Sequence, residues 1–193
     1  MNADASSDLV LLLVCASIAW RSMQARPAVA VATALIGAAA LLGVLRYSGV
    51  PLVWGPHRFA SLLAACAAFP LLAAGLRWPD APLATRYAAV GRFVVVWGGV
   101  GVALTVLGVN LWRDVVPGLS AVLIVWTVVQ QRSASGIVGA LLLVGSFVVA
   151  ATGKPDTLYL NFFNSTQALH YLLAAGLLAL VWPATSKAAV PAT

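Results

Sequence analysis

A chain of 193 residues that is 62% hydrophobic and only 8% charged cannot cover a water-facing surface, because soluble domains carry roughly 25% charged residues. Its apolar excess must face lipid, which excludes a soluble enzyme, and seven crossings of about 20 residues each would leave no room for a separate catalytic domain. The net charge of +6 does not indicate nucleic acid, since the basic residues stand singly between apolar blocks rather than in a run or stripe.

Seven charge-free windows predict an all-α polytopic transmembrane helical bundle, a single domain with spans at about 6–23, 27–45, 58–76, 90–112, 115–131, 134–152 and 164–182. The first window, Leu9–Trp20, is short, so its helix must start near Ala5 and take Asp8 into its first turns. The leader MNADASSD is acidic and lacks the positive region of a signal peptide, so a retained helix is expected. Pro27 opens the second span. Gly49, Pro51, Gly55 and Pro56 mark a non-helical link before the third, and Pro79, Asp80 and Pro82 separate the third from the fourth. Trp112-Arg113-Asp114 reads as a tight hairpin between the fourth and fifth spans, and Gly153 to Asp156 divides the sixth from the last.

Trp20, Trp54, Trp78, Trp112 and Trp182 fall near predicted helix ends, as an interfacial belt requires, whereas Trp97 and Trp126 lie deeper and are expected between helices. Cys15 and Cys66 sit inside apolar segments without CxxC spacing and read as reduced packing residues. The Gly98-Gly99-Val100-Gly101 cluster and Ser135-x-x-x-Gly139 suit close helix packing. No internal repeat is visible, which disfavours an inverted-repeat transporter.

Alternating the spans puts Arg21, Arg26, Arg77, Arg86, Arg92, Arg132 and Lys187 on the face opposite the N-terminus. Arg46, Arg58, Arg113 and Lys154 share the N-terminal face. Seven against four predicts an external N-terminus and a cytoplasmic C-terminus.

Glu is absent, so every carboxylate is an Asp. Asp80 falls in a loop on the opposite face and Asp4 reads as solvated. Asp8, Asp114 and Asp156 gather on the N-terminal face with both histidines, His57 and His170, and with Tyr47, Asn161 and Asn164. Polar groups within a membrane are costly and tend to mark sites. In NFFNSTQALHYLL, Thr166, Gln167 and His170 can share a helix face, with Asn164 or Ser165 as the cap. The candidate polar site is therefore Asp8, Tyr47, His57, Asp114, Asn164, Gln167 and His170. Asp8, His57 and His170 together have the composition of a catalytic zinc set with an open fourth position, so zinc is the cofactor they would take. Bis-histidine haem ligation would use the same two histidines. A retinal pigment is excluded because neither Lys154 nor Lys187 lies within a span, and no P-loop, dinucleotide or serine-elbow pattern occurs.

Ser7-Asp8 opening the first span, and Asn164 to His170 in the last, resemble small uncharacterised bacterial seven-span membrane proteins. More distantly, seven spans with an acidic residue near the first helix and a histidine near the start of the last resemble the seven-helix hydrolase superfamily of alkaline ceramidases and progestin/adipoQ receptors. The resemblance implies a zinc-dependent amide hydrolase acting on lipid-like substrates in a bacterial inner (plasma) membrane. The chain departs from that pattern: Ala174 stands four residues after His170, where the superfamily has a second histidine, and the second span ends on Arg46-Tyr47 without one. A non-catalytic membrane subunit or assembly factor and a small-solute transporter are the alternative readings. Membrane lipids are the expected partners, with a second membrane protein or a homo-oligomer as the further expectation.

Overall fold

The computed structural model describes residues 2–153, 158–159 and 162–187, with side chains described as far as Val181. Lys154, Asp156 and Asn161, the side chains of Trp182 and Lys187, and the tail after Lys187 lie outside the described residues. The described chain is an all-α bundle of seven principal helices: α1 Ala3–Ser22, α2 Pro27–Tyr47, α3 Pro51–Arg77, α4 Tyr87–Val106, α5 Leu111–Gln130, α6 Ala134–Thr152 and α7 Ser165–Lys187. Helices α1 to α6 are each long and apolar enough to cross a membrane, and α7 is a shorter apolar helix over Ser165–Val181. One isolated bridge, Tyr159 to Phe163, is the only strand-like pairing among the described residues.

The helix ends follow backbone chemistry more closely than charge. α1 starts at Ala3 because the Asn2 side chain accepts from the Ala5 amide at 2.9 Å, so Asp8 lies in its second turn and is not its cap. α3 starts at Pro51, seven residues before the predicted start at 58. Pro51 and Pro56 sit in its opening turns, where amides have no intrahelical partner to lose, so they do not break the helix. His57 therefore lies inside α3 and does not open it.

The hairpin between the fourth and fifth spans also differs from expectation. It falls at 107–110, and Trp112, Arg113 and Asp114 form the first turn of α5. Gly108 ends α4 in the left-handed region at φ 89°, while the Val109 amide reaches back to the Leu104 carbonyl at 2.9 Å. This is a glycine C-cap that satisfies otherwise orphaned carbonyls.

Six helices close into a ring in the order α1, α2, α3, α5, α6, α7, with α7 packing back onto α1. α4 lies outside the ring against α3 and α5, and most of its surface is exposed. Small residues allow close approach in this fold: a Cβ on Gly139 would lie 2.8 Å from the Gly176 carbonyl, so α6 and α7 meet backbone to backbone. Ile18, Leu71, Leu72, Ile124, Leu143 and Leu177 are buried in the core. Trp97 stacks between Phe93 and Trp112, with ring centroids at 5.8 and 4.9 Å. Trp126, expected between helices, is instead 59% exposed and faces out of the bundle.

Candidate functional site

The N-terminal half of α1 carries Asp4, Ser7 and Asp8, which helical spacing of three and four places on one face. That face meets the first turns of α7. The Asp4 carboxylate, expected in solvent, accepts from Asn164 Nδ2 and Gln167 Nε2, each at 2.8 Å. Its partners are fixed in turn, because the Asn164 side-chain oxygen caps α7 by accepting from the Gln167 amide at 2.9 Å. Asn2 Nδ2 donates to the Tyr47 carbonyl at the end of α2 at 2.9 Å. Four polar side chains, Asn2, Asp4, Asn164 and Gln167, thus tie together α1, α2 and α7 at this end.

His170 comes next along α7. Its Nδ1 lies 3.1 Å from Ser7 Oγ and 3.5 Å from Asp8 Oδ1. The Ser7 hydroxyl donates its single proton to the Asp4 carbonyl at 2.8 Å, so towards His170 it can only accept. Nδ1 therefore carries a hydrogen, and whenever the imidazole is neutral Nε2 is its unprotonated, basic nitrogen. This geometry also excludes a serine nucleophile activated by His170. In such a relay the acid and the nucleophile use opposite ring nitrogens, whereas here both use the same one.

Asp8 is 1% exposed, and its Oδ2 has no hydrogen-bond partner among the described residues. Its depth depends on Gly43 of α2, where a Cβ would lie 2.6 Å from the Asp8 Cγ. On the adjoining wall, His57 Nδ1 lies 3.2 Å from Arg46 Nη1, and its ring meets Tyr47 edge-on at 6.3 Å. Asp114 is exposed and paired to Arg113 at 3.1 Å.

These groups surround a cavity of about 730 Å³ to which every ring helix contributes. Asp8, His57, Arg113, Asp114 and His170 give it a polar end, while Leu11, Ile36, Phe69, Phe147 and Leu173 give it an apolar one. Pro117 of α5 is in the wall and has no amide hydrogen to return to the Arg113 carbonyl. Of the seven candidate residues, Asp8, His57, Asp114 and His170 line the cavity, whereas Tyr47, Asn164 and Gln167 brace it from behind. Sequence reasoning missed Asp4 and Gly43, and placed Arg46 at this end without counting it in the site. The Asp4 to Asp8 spacing of four was the available signal for the first of these.

The expected zinc site is not assembled. Three protein ligands must converge on one point, yet among the described residues no group of three His, Cys, Asp or Glu is placed to do so. His57, the expected third ligand, turns to the Arg46 guanidinium, a fixed cation that would oppose a dication.

Compared with protein-family models, curated proteins and solved structures, the chain matches none. The fold itself defines the class, a multi-pass helical membrane protein.

Proposed function

We propose that this membrane protein admits a single-chain, lipid-like amphiphile to its ring cavity and hydrolyses an amide or ester bond near the polar head. The observation that carries the reading is a cavity built by six helices, polar at one end and apolar at the other, with a buried carboxylate and an oriented imidazole at the polar end. Its volume lies within the range of small-molecule sites, about 300–1,000 Å³. At the roughly 30 Å³ that a water occupies, it has room for about two dozen heavy atoms.

In this reading a water held between Asp8 and His170 Nε2 attacks the carbonyl carbon. The imidazole takes the water's proton and returns it to the leaving nitrogen or oxygen as the C–N or C–O bond breaks. Ser7 and Asp8 hold the ring in the required tautomer. The resemblance to the seven-helix hydrolases, in seven spans with an acidic residue near the first and a histidine near the start of the last, supports the same reaction class. The excess of basic residues on the opposite face supports a cytoplasmic C-terminus, with the cavity opening away from the cytoplasm. A transporter would need a polar path onward, but the axis below Phe69 and Phe147 is filled by Leu71, Leu72, Ile124, Leu143 and Leu177.

The test uses purified protein in nanodiscs with fluorescent single-chain N-acyl amides and esters. Turnover should be saturable, unaffected by chelators, and lost in His170→Ala and Asp8→Asn while these variants still bind the probe. Failure of wild-type protein to bind any such amphiphile would sink the reading.

A further inference from the structure

A second cavity, of about 850 Å³, lies beside the first, between α3, α4 and the start of α5. Its polar lining holds three cations, Arg46 from α2, Arg58 from α3 and Arg113 from α5, beside His57, Ser61 and Thr105. No carboxylate lines it, although Arg113 Nε pairs at 3.1 Å with Asp114, which belongs to the first cavity's wall. Arg58 has no ion-pair partner among the described residues. Arg46 is held in place, with its guanidinium 5.6 Å from the Trp54 ring centroid and 5.1 Å from that of Tyr47. Three guanidinium groups delivered by three helices to one hollow, with only Arg113 paired to an acid, form a receptor for an anion.

The rest of the lining identifies the source of that anion. Phe59, Leu62, Val102 and Val106 are apolar and lie on the facing sides of α3 and α4. α4 is the helix outside the ring, so a hollow between it and α3 is reached from the lipid side. Trp54 in the wall suits the level of the headgroups. We propose that this cavity is a lateral binding site for an anionic phospholipid, with its phosphate held by Arg46, Arg58 and Arg113 and the start of an acyl chain between α3 and α4. The two cavities share His57, Ser61, Ala65 and Arg113, so the bound headgroup lies against the wall of the first. The proposal does not depend on any chemistry at Asp8 and His170.

The test is native mass spectrometry of protein released from nanodiscs containing equal mole fractions of phosphatidylglycerol and phosphatidylcholine. Wild-type protein should retain phosphatidylglycerol preferentially. A basic side chain near the surface contributes about 1 kcal/mol towards an anionic lipid, roughly a five-fold preference. Arg58→Gln with Arg113→Gln should therefore lower the preference about 25-fold. Arg58→Lys should keep most of it, and His170→Ala, which removes the proposed base, should leave it intact. If the double variant does not fold, Arg58→Gln alone should show the five-fold loss, since its side chain is exposed. Equal retention of the two lipids by wild-type protein would overturn the proposal. So would an unchanged preference in the arginine variants, or retention of inorganic phosphate without any preference for the lipid.

Discussion

Replacing Gly43 by alanine tests whether the depth of Asp8 is built into the contact between α1 and α2. A Cβ at this position would lie 2.6 Å from the Asp8 Cγ and 2.7 Å from Oδ1, nearly 1 Å inside ordinary van der Waals separation. Asp8 is 1% exposed, so its carboxyl can give way only by shifting towards the cavity it lines and away from His170. Overpacking of this kind costs about 1–3 kcal/mol. Alanine recovers about 1 kcal/mol of helix propensity relative to glycine, leaving a net loss of about 0–2 kcal/mol. In an Asp8→Ala background the obstructing atoms are gone, so the same substitution should become neutral or slightly stabilising, a coupling of about 2 kcal/mol between the sites. Gly99→Ala serves as the control, since its Cβ would meet nothing within 4 Å. Unfolding in mixed micelles by sodium dodecyl sulfate titration, followed by tryptophan fluorescence, measures all four variants. A cost for Gly43→Ala that is the same with and without the Asp8 carboxyl would refute the reasoning.

Two further predictions concern the contacts of α1 with α7. Asp4→Ala leaves the Asn164 and Gln167 side-chain amides without their shared acceptor, which should lower stability by about 2 kcal/mol in the same micelle titration. Ser7→Ala removes the acceptor that keeps hydrogen on His170 Nδ1; kcat on the amide probe should fall about ten-fold with KM unchanged, within the range expected for acid–base catalysis. A change confined to KM would show instead that Ser7 contacts the ligand.

The all-α membrane class was legible because an uncharged run of sufficient length leaves few other structures. Helix ends were less legible where charge was used to place them. The uncharged run of α4 extends to Trp112, but the helix stops where Gly108 can adopt a positive φ. The ring order was hidden for a different reason. Each span is apolar on nearly all sides, so no polar stripe marks which face meets protein and which meets lipid, and α4 looks no different in sequence from helices inside the ring. Asp4 was misplaced because a leader rich in Asp and Ser resembles a solvated tail. Its structural role comes from Asn164 and Gln167, 160 and 163 residues away.

The third helix shows how the polar end and the apolar floor come to share one wall. His57, Ser61, Ala65 and Phe69 recur every four residues and all line the first cavity. On an ordinary helix of 3.6 residues per turn, positions four apart drift by about 40° at each step, so three steps would carry Phe69 about 120° away from His57. Residues 64–68 instead form a wider π-helical turn, whose i to i+5 hydrogen bonding winds the chain less per residue and reverses much of that drift. The π turn keeps the stripe facing the ring axis from the cation-lined mouth to the aromatic floor. It also presents Cys66 and Ala67 to α4, where they lie against Gly101 and Gly98, and α4 has a π turn of its own at 94–98. The unusual winding of α3 therefore serves both of its surfaces: one forms the continuous wall of the axial cavity, and the other seats the helix that encloses the arginine-lined hollow beside it.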